Sequence, residues 1–526
     1  MVTGNDRENH NVEMAGSGTD WGFAMNVSAR FLPIVLFLAG CAMQPPGDLR
    51  RDIETTTDIP TTWMFHSAIQ SQAGSSQWWR DYGSVELNRL VEQALAKNQS
   101  LAAAGFAWRK SRLAVDNALQ DRLPSYNGTA SANFSRKLDD ETQRTTYNYS
   151  ASLGISYQVD LWGKLWLAQD NARWGQEASA EDLLATRLSL IGDVIARYLD
   201  LVYVADQLTL NRAYLGYAGQ ILAITRARYE AGGASRLDVA EAEQNLSILE
   251  SSRDNLENQR QQHEVALSIL LGSAPRPLPK VQETLADFKL PTVDVSVPAR
   301  LLAQRPDLRA AQYRLQQNLG NIAIAERDFY PELNLGASLG SSAERLRKIF
   351  ENPVGALTAA IALPFLNYHR KEIARKEDEV GYQQALANFR QTLYKALGEA
   401  QTALLGLSLA QTDAVHLQQR FAQAREIENL TLARYQAGAV DLQSYLEKQN
   451  ATRNVEESLL TNRYQQLSRS LALHLALGGT AGDHEAARPR EDDDQADGKV
   501  DDRAADKADN RAADTAGGQT GNSAGN

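Results

Sequence analysis

The spacing of apolar residues changes period several times along this chain, and each change predicts a change of element. Val85, Leu87, Leu90, Val91, Ala94, Leu95 and Leu101 recur at helical spacing, which predicts a helix running to about Gln120 and stopping ahead of Pro124. The period then drops to two. Tyr126, Gly128, Ala130, Ala132 and Phe134 alternate with Asn127, Thr129, Ser131, Asn133 and Ser135. After a charged loop over 136–144 the alternation resumes through Tyr147, Tyr149, Ala151, Leu153, Ile155, Tyr157 and Val159. Each stretch is long enough for a tilted transmembrane strand, which needs about 9–11 residues. One face is apolar and suits lipid, and the other carries small polar groups and suits a wet lumen. A soluble hairpin with one buried face alternates in the same way, so the pattern alone leaves both open. Trp162 and Trp166 follow, where an interfacial aromatic belt is expected.

Helical spacing returns from about Leu165 to Arg228, which at 1.5 Å per residue is roughly 95 Å of helix. Ile191, Val194, Ile195, Tyr198, Leu201, Val202, Ala205 and Leu208 form a seam of coiled-coil type. A return helix, about Leu237 to Leu271, is rich in Glu, Gln and Asn, with a thin stripe at Leu246, Leu249 and Leu256. Such a helix is half wet, as a channel wall is. Gly272 and the Pro-rich stretch 275–298 close the unit.

The unit then recurs at an offset of about 207 residues. Ala103-Ala104 falls on Ala310-Ala311, Ala118 on Ala325, Asp121 on Asp328, Pro124 on Pro331 and Asn127 on Asn334. The second strand pair reads Leu333, Leu335, Ala337, Leu339, then Leu357, Ala359, Ile361, Leu363, Phe365, with a loop around Ser341–Pro353. A second long helix covers about Tyr368 to Arg434, and its return ends near Leu477. The long helices stop on matching tips, Arg228-Tyr229-Glu230-Ala231-Gly232 and Arg434-Tyr435-Gln436-Ala437-Gly438. Each glycine stands where a left-handed cap is needed, because only Gly enters that conformation without a Cβ penalty. Past the tips, Leu237-Asp238-Val239 falls on Gln443-Ser444-Tyr445 and Glu241 on Glu447. The chain thus divides into a leader (1–40), an extended segment (41–83), a first repeat (84–272), a linker (273–290), a second repeat (291–478) and a tail (479–526). The tail is Asp-, Ala- and Gly-rich without apolar anchors, and disorder is expected there.

Composition narrows the classes. The net charge of -11 argues against nucleic acid as a partner, and a single Cys excludes a disulfide framework. Mean hydropathy of -0.41 leaves no room for an inner-membrane helical bundle. All five Met lie at or before Met64, so the body has no thioether ladder for copper or silver. The one Cys is informative. Arg30 precedes an apolar run, Phe31 to Gly40, too short to span comfortably, as in a secretory signal. The run ends Leu38-Ala39-Gly40-Cys41, which resembles a bacterial lipobox and makes Cys41 the acylated mature N-terminus. An ordinary signal peptide with an incidental Cys is the plain alternative. Ala42 follows, where Asp is associated with inner-membrane retention. Residues 1–24 are polar, and Met25 fits as the true start. Trp63, Trp78 and Trp79 indicate that the extended segment packs on something rather than floating. No His-Glu-x-x-His or P-loop is present, the one Gly-x-Ser-x-Gly match (Gly336 to Gly340) falls inside the alternating stretch rather than at a strand-to-helix turn, and the seven His do not cluster with carboxylates. The reading is non-enzymatic, without metal or cofactor beyond lipid on Cys41.

Four strands cannot close a barrel, and an open edge in lipid leaves N–H and C=O groups unpaired at several kcal/mol each. Cyclic association solves this. Two subunits give eight strands and little lumen, whereas three give twelve and a usable pore.

The layout resembles the TolC-like outer-membrane factor family, in particular its lipoprotein branch of OprM- and NodT-like efflux channels. The likeness runs from about Trp79 to Gly478. It is carried by Leu302-Ala303-Gln304-Arg305-Pro306-Asp307-Leu308, by Ala325 with Phe329-Tyr330-Pro331, by Asp160-Leu161-Trp162-Gly163-Lys164, and by the two tips. The resemblance implies a mixed α and β membrane protein: a homotrimer with a 12-stranded transmembrane barrel, a long periplasmic α-helical barrel and a small equatorial region. It implies an outer-membrane conduit, exporting small molecules for a proton-driven inner-membrane pump through a periplasmic adaptor. Tyr229, Gly232, Tyr435 and Gly438 become adaptor-docking positions. Asp238, Glu241, Ser444 and Glu447 become a periplasmic constriction, with Glu447 its strongest member, although each acid also fits the solvated face of a coiled coil. Val440 stands where some members of the family place a latching Arg, so an identical lock is not expected. A conduit for type I protein secretion shares the fold, although Cys41 weighs against it. A tethered periplasmic coiled coil would explain the helices but not the strands.

Overall fold

The computed structural model describes residues 77–136, 145–291 and 305–479. The leader, Cys41, the extended segment up to Ser76, the loop 137–144, residues 292–304 and the tail from Thr480 lie outside the described residues, as do the expectations placed on them. A short turn, Trp78–Tyr82, leads into α1 (Val85–Lys97), whose N-cap Ser84 accepts a hydrogen bond from the Leu87 amide. The single first helix expected from the apolar spacing is two helices, α1 and α2 (Gln99–Gln120). Asn98 makes the break: its backbone turns extended, its N–H closes on Ala94 O, and its Oδ1 accepts from the Leu101 amide at 3.0 Å. Its Nδ2 donates to Leu270 O at 3.0 Å, so one residue ends α1, starts α2 and ties both to a distant helix end.

Strands β1 (Ser125–Arg136), β2 (Thr145–Val159), β3 (Glu332–Ala343) and β4 (Val354–Ala362) form one antiparallel sheet in the order β1-β2-β3-β4. The register separates two faces. On one, Ser125 and Ser156, Thr129 and Ser152, and Ser131 and Ser150 meet across the strands, each hydroxyl pair 2.7 Å apart. On the other, Tyr126 faces Ile155, Phe134 faces Tyr147 and Leu153 faces Leu339. Many of these apolar side chains are exposed, Leu357 at 89% and Tyr126 at 76%. Strand β4 is shorter than its alternation suggests, because Pro364 has no N–H for the ladder and opens a tight helical turn, Pro364–Asn367. Leu363 and Phe365 therefore lie outside the strand, while β3 runs on through Ser341 to Ala343.

The helices follow the same plan twice. Helix α3 (Lys164–Glu230, 67 residues) turns back as α4 (Arg236–Leu270, 35 residues). After α5 (Pro306–Arg327) and the second strand pair, α6 (Tyr368–Gln436, 69 residues) turns back as α7 (Leu442–Ala476, 35 residues). Helix α7 also packs along α3 and joins the two hairpins. The expected α3 seam is buried apart from the half-buried Ala205, with Val194, Ile195 and Val202 completely enclosed. The main core lies where α1, α3, α4 and α7 meet, with Trp78, Trp79 and Tyr82 inserted among Leu87, Leu199 and Leu267. Trp78 stacks on His474 with ring centroids 4.9 Å apart. Gly272 closes α4 at φ +70°, and a Cβ there would sit 2.2 Å from Lys97 O, so this joint admits glycine alone. Among the described residues no helix is long and apolar enough to cross a membrane, which bears on helices and not on the strands.

Candidate functional site

The far ends of the long helices form one such site. Both glycines take the left-handed conformation, Gly232 at φ 76° and Gly438 at φ 74°. In each, the glycine amide donates to the tyrosine carbonyl three residues back, and the next amide donates to the arginine carbonyl, Gly233 to Arg228 at 2.7 Å and Ala439 to Arg434 at 2.9 Å. This paired closure satisfies the carbonyls that the helix end leaves open.

The return helices begin with the same chemistry in opposite order. Ser235 caps α4 and accepts from the Asp238 amide at 3.1 Å, while Asp238 Oδ2 accepts from the Ser235 amide at 2.7 Å. Asp441 caps α7 and accepts from the Ser444 amide at 2.8 Å. Hydrogen bonds from the Ser444 side chain and amide hold the Asp441 carboxyl below its usual range. Asp238 is therefore engaged in a capping box as well as facing Glu241. Glu241 is pushed above its ordinary range by partial burial first, then by the charges of Asp238 and Asp441. Glu447 lies elsewhere on its helix: it is exposed and accepts from Gln443 Nε2 at 3.3 Å. The structure thus groups Asp238 and Glu241 with Asp441, which the repeat alignment passed over because it pairs Asp238 with Ser444.

The two tips share a small core of Leu222, Val239, Ala242, Leu442, Tyr445 and Leu446, against which Val440 packs. Tyr435 belongs to that core at 9% exposure, stacked on Tyr445 at 5.9 Å with the Arg228 guanidinium 5.3 Å from its ring. Tyr229 is 46% exposed. The two tyrosines, equivalent in the repeat, therefore differ in burial. Tyr435 glues the hairpins together, and of the pair only Tyr229 offers its ring outward.

A second cluster stands where strands meet helices. Asp160 Oδ2 accepts from the Trp166 amide at 3.0 Å, and Gly163 turns the chain at φ 70°. Lys164 Nζ then reaches Asp328 at 2.7 Å and Glu332 at 2.9 Å, and Lys371 meets the other oxygen of Asp328 at 2.8 Å. Trp162 stacks on Tyr330 at 5.0 Å and donates from Nε1 to Pro331 O at 2.8 Å. Trp162 is thus part of a packed joint rather than a free member of an aromatic belt, while Trp166 is 53% exposed beneath the Arg122 guanidinium. Two motifs singled out in the sequence, Asp160 to Lys164 and Phe329 to Pro331, are the two sides of this one joint. Arg305 makes a third tie, donating to Asp307, Glu399 and Ala476 O at 2.8 to 3.0 Å.

With this geometry in place, the comparisons with known proteins decide the family. The family model described as outer membrane efflux protein matches residues 90–273 and 297–479. The chain belongs to the outer membrane efflux protein family. The pyoverdine export outer membrane protein OpmQ of Pseudomonas putida is 30% identical over 460 residues, 85% of this chain and 96% of that protein. The toxin and drug export protein A of Aggregatibacter actinomycetemcomitans is 27% identical over 405 residues, 77% of this chain and 88% of the relative. Among solved structures, the outer-membrane channel OprN superposes with a TM-score of 0.74 at 22% identity, over 84% of this chain and all of that one. Its fold is the one described above. The chain is accordingly an efflux channel of the outer membrane.

Proposed function

We propose that the chain works as a homotrimer, the duct through which small molecules handed over by a proton-driven inner-membrane pump and a periplasmic adaptor leave the cell. The observation that carries this reading is the four-stranded sheet, polar on one face and apolar on the other, with β1 and β4 as unpaired edges within the chain. Edges of this kind do not persist in lipid. Three copies joining β4 to β1 make a twelve-stranded barrel, lined by the serine and threonine face, that leads into a periplasmic tube of the long helices. The repeated element order supports descent from a duplicated module. Cys41 carries covalent lipid as a second anchor, and no other cofactor is required.

At the periplasmic end, Gly232, Gly438 and the exposed Tyr229 form the adaptor surface. The carboxylates of Asp238, Glu241 and Asp441 form the constriction, with Glu447 a further acid beyond it. Val440 sits in the tip core, which supports a closed state held by packing rather than by an arginine latch. The test is disulfide cross-linking of cysteines placed along β1 and β4. Covalent trimers on denaturing gels are expected, and a ladder that stops at monomer overturns the trimeric barrel.

A second reading, an outlet for type I protein secretion, draws on the relative named for toxin and drug export. Transport assays in a strain lacking its own outer-membrane channels separate the two. Restored resistance to small toxic compounds supports efflux, and restored secretion of a polypeptide supports the alternative.

A further inference from the structure

The apolar face of the sheet is covered at the end remote from the long helices. Ser341 lies on that face two residues after Leu339, and its Oγ donates to Asn352 O at 3.0 Å. This bond draws the segment 344–353 back across the sheet. Ile349 is buried at 9% exposure while its neighbour Phe350 is 85% exposed. Between segment and sheet runs a groove of about 430 Å³. Its floor is two cross-strand rows, Gly128–Leu153–Leu339 and Ala130–Ala151–Ser341. Strand alternation puts all six on the apolar face, so the groove opens on the side that meets lipid. Glycine and alanines in β1 and β2 leave the hollow, and Leu153, Leu339 and Ile349 wall it. Its size is of the order of one acyl chain.

The same segment carries charge that the hydrocarbon cannot satisfy. Arg345, Arg347 and Lys348 are all exposed. Lys348 is held by Glu351 at 3.3 Å, and Glu344 adjoins Arg345 in sequence. Guanidinium groups against a lipid-facing surface are costly unless they reach an anion, and a bilayer surface supplies phosphate. The planar fork of arginine matches phosphate geometry better than an ammonium does. We propose that this groove binds the phosphorylated, multiply acylated glycolipid of the outer leaflet, lipid A, with one acyl chain beneath Ile349 and a phosphate on Arg345 and Arg347. The proposal rests on the outer-membrane reading, which places the β3–β4 segment in that leaflet.

The full-length protein, purified in mild detergent, is mixed with bis-phosphorylated lipid A, with dephosphorylated lipid A, or with phosphatidylglycerol, and bound lipid is counted by native mass spectrometry. Bis-phosphorylated lipid A is expected to stay bound, with retention falling at least about tenfold for the dephosphorylated form and for the Arg345→Gln/Arg347→Gln double variant. The arginines are exposed and leave the fold intact when replaced. Ala151→Phe, which fills the groove from the lipid side, is expected to abolish retention while the oligomer and its conductance persist. Equal retention of the phosphorylated and dephosphorylated lipids overturns the site, and so does retention that survives both variants. Phosphatidylglycerol held as firmly as lipid A overturns the commitment to the glycolipid. A wild-type protein that conducts but holds no lipid A loses the groove and keeps the channel; a protein absent from outer-membrane fractions fails at the earlier reading instead.

Discussion

Lys164 and Asp328, far apart in sequence, meet with Nζ 2.7 Å from Oδ1 and pin the exit of the first strand pair to the entry of the second. Burial works against ionising Asp328, but hydrogen bonds from Lys164 and Lys371 outweigh it and hold the carboxyl below its ordinary range. Lys164→Met leaves Asp328 with Lys371 alone and strips Glu332 of its lysine. We expect a loss of about 1–3 kcal/mol, with Lys164→Arg recovering part of it. Thermal unfolding followed by circular dichroism checks this, and an unchanged midpoint in Lys164→Met would show that the joint does not depend on the pair.

His474 gives the main core a dependence on pH. Burial against Trp78 pushes its pKa below 6.5, opposed more weakly by its hydrogen bond with Ser470 O and by Asp81. The folded state thus favours neutral imidazole. Its contribution is complete above the unfolded pKa of about 6.5 and is lost as pH falls through that value towards the folded one. The unfolding temperature should drop between pH 7.5 and 5, and His474→Gln should flatten that slope. A slope identical in the variant assigns the effect to other groups.

Gly272→Ala should be among the most damaging single changes in the helical body. It forces a Cβ into Lys97 O and places a side chain at positive φ, for an expected cost of at least about 2 kcal/mol. Gly216→Ala, in a helix with open space around the new methyl, is the matched control and should be neutral or slightly stabilising. Comparing midpoints in denaturant separates the two.

The tip tyrosines should part company under mutation. Tyr435→Ala removes a stacked, buried ring and should loosen the tip, raising hydrogen exchange in α6 and α7 near Gly438. Tyr229→Ala should leave exchange unchanged and reduce cross-linking to an adaptor. If both variants behave alike, the difference in burial carries no functional weight.

The carboxylates at the tip predict a pH-dependent ion preference. Asp441→Asn keeps a good N-cap and removes one charge facing Glu241. Without that charge the pKa of Glu241 falls towards its ordinary value, so cation selectivity should persist to lower pH than in wild type. Glu447→Ala tests the more distant acid. Reversal potentials in a salt gradient, recorded against pH for each, decide which carboxylates line the path.

Much of this architecture is legible in the apolar pattern, because a sheet with one wet face repeats every two residues and a buried seam every three to four. Gly232 and Gly438 were readable as caps for the same local reason. Asn98 was not, since the apolar spacing runs on across it and its partner Leu270 is far away in sequence. The alternation through Leu363 and Phe365 outweighed Pro364, although the missing N–H was visible in the sequence. Asp441 escaped because its importance lies in contact between the repeats. Lining up the copies sets Ser444 against Asp238 and hides the acid that approaches from the other hairpin.

The exchanged order of serine and aspartate at the two return helices has a consequence for the shape of the charge. The caps have matching backbones, yet the carboxylate comes first in one and three residues later in the other. Three residues of helix rise about 4.5 Å. Six hairpin ends arranged around an axis would then present three carboxylates at the lip and three a step inside it, a staggered collar rather than a flat ring. An ion entering such a collar passes its charges in two steps about 4.5 Å apart, close enough for the field of one level to overlap the next.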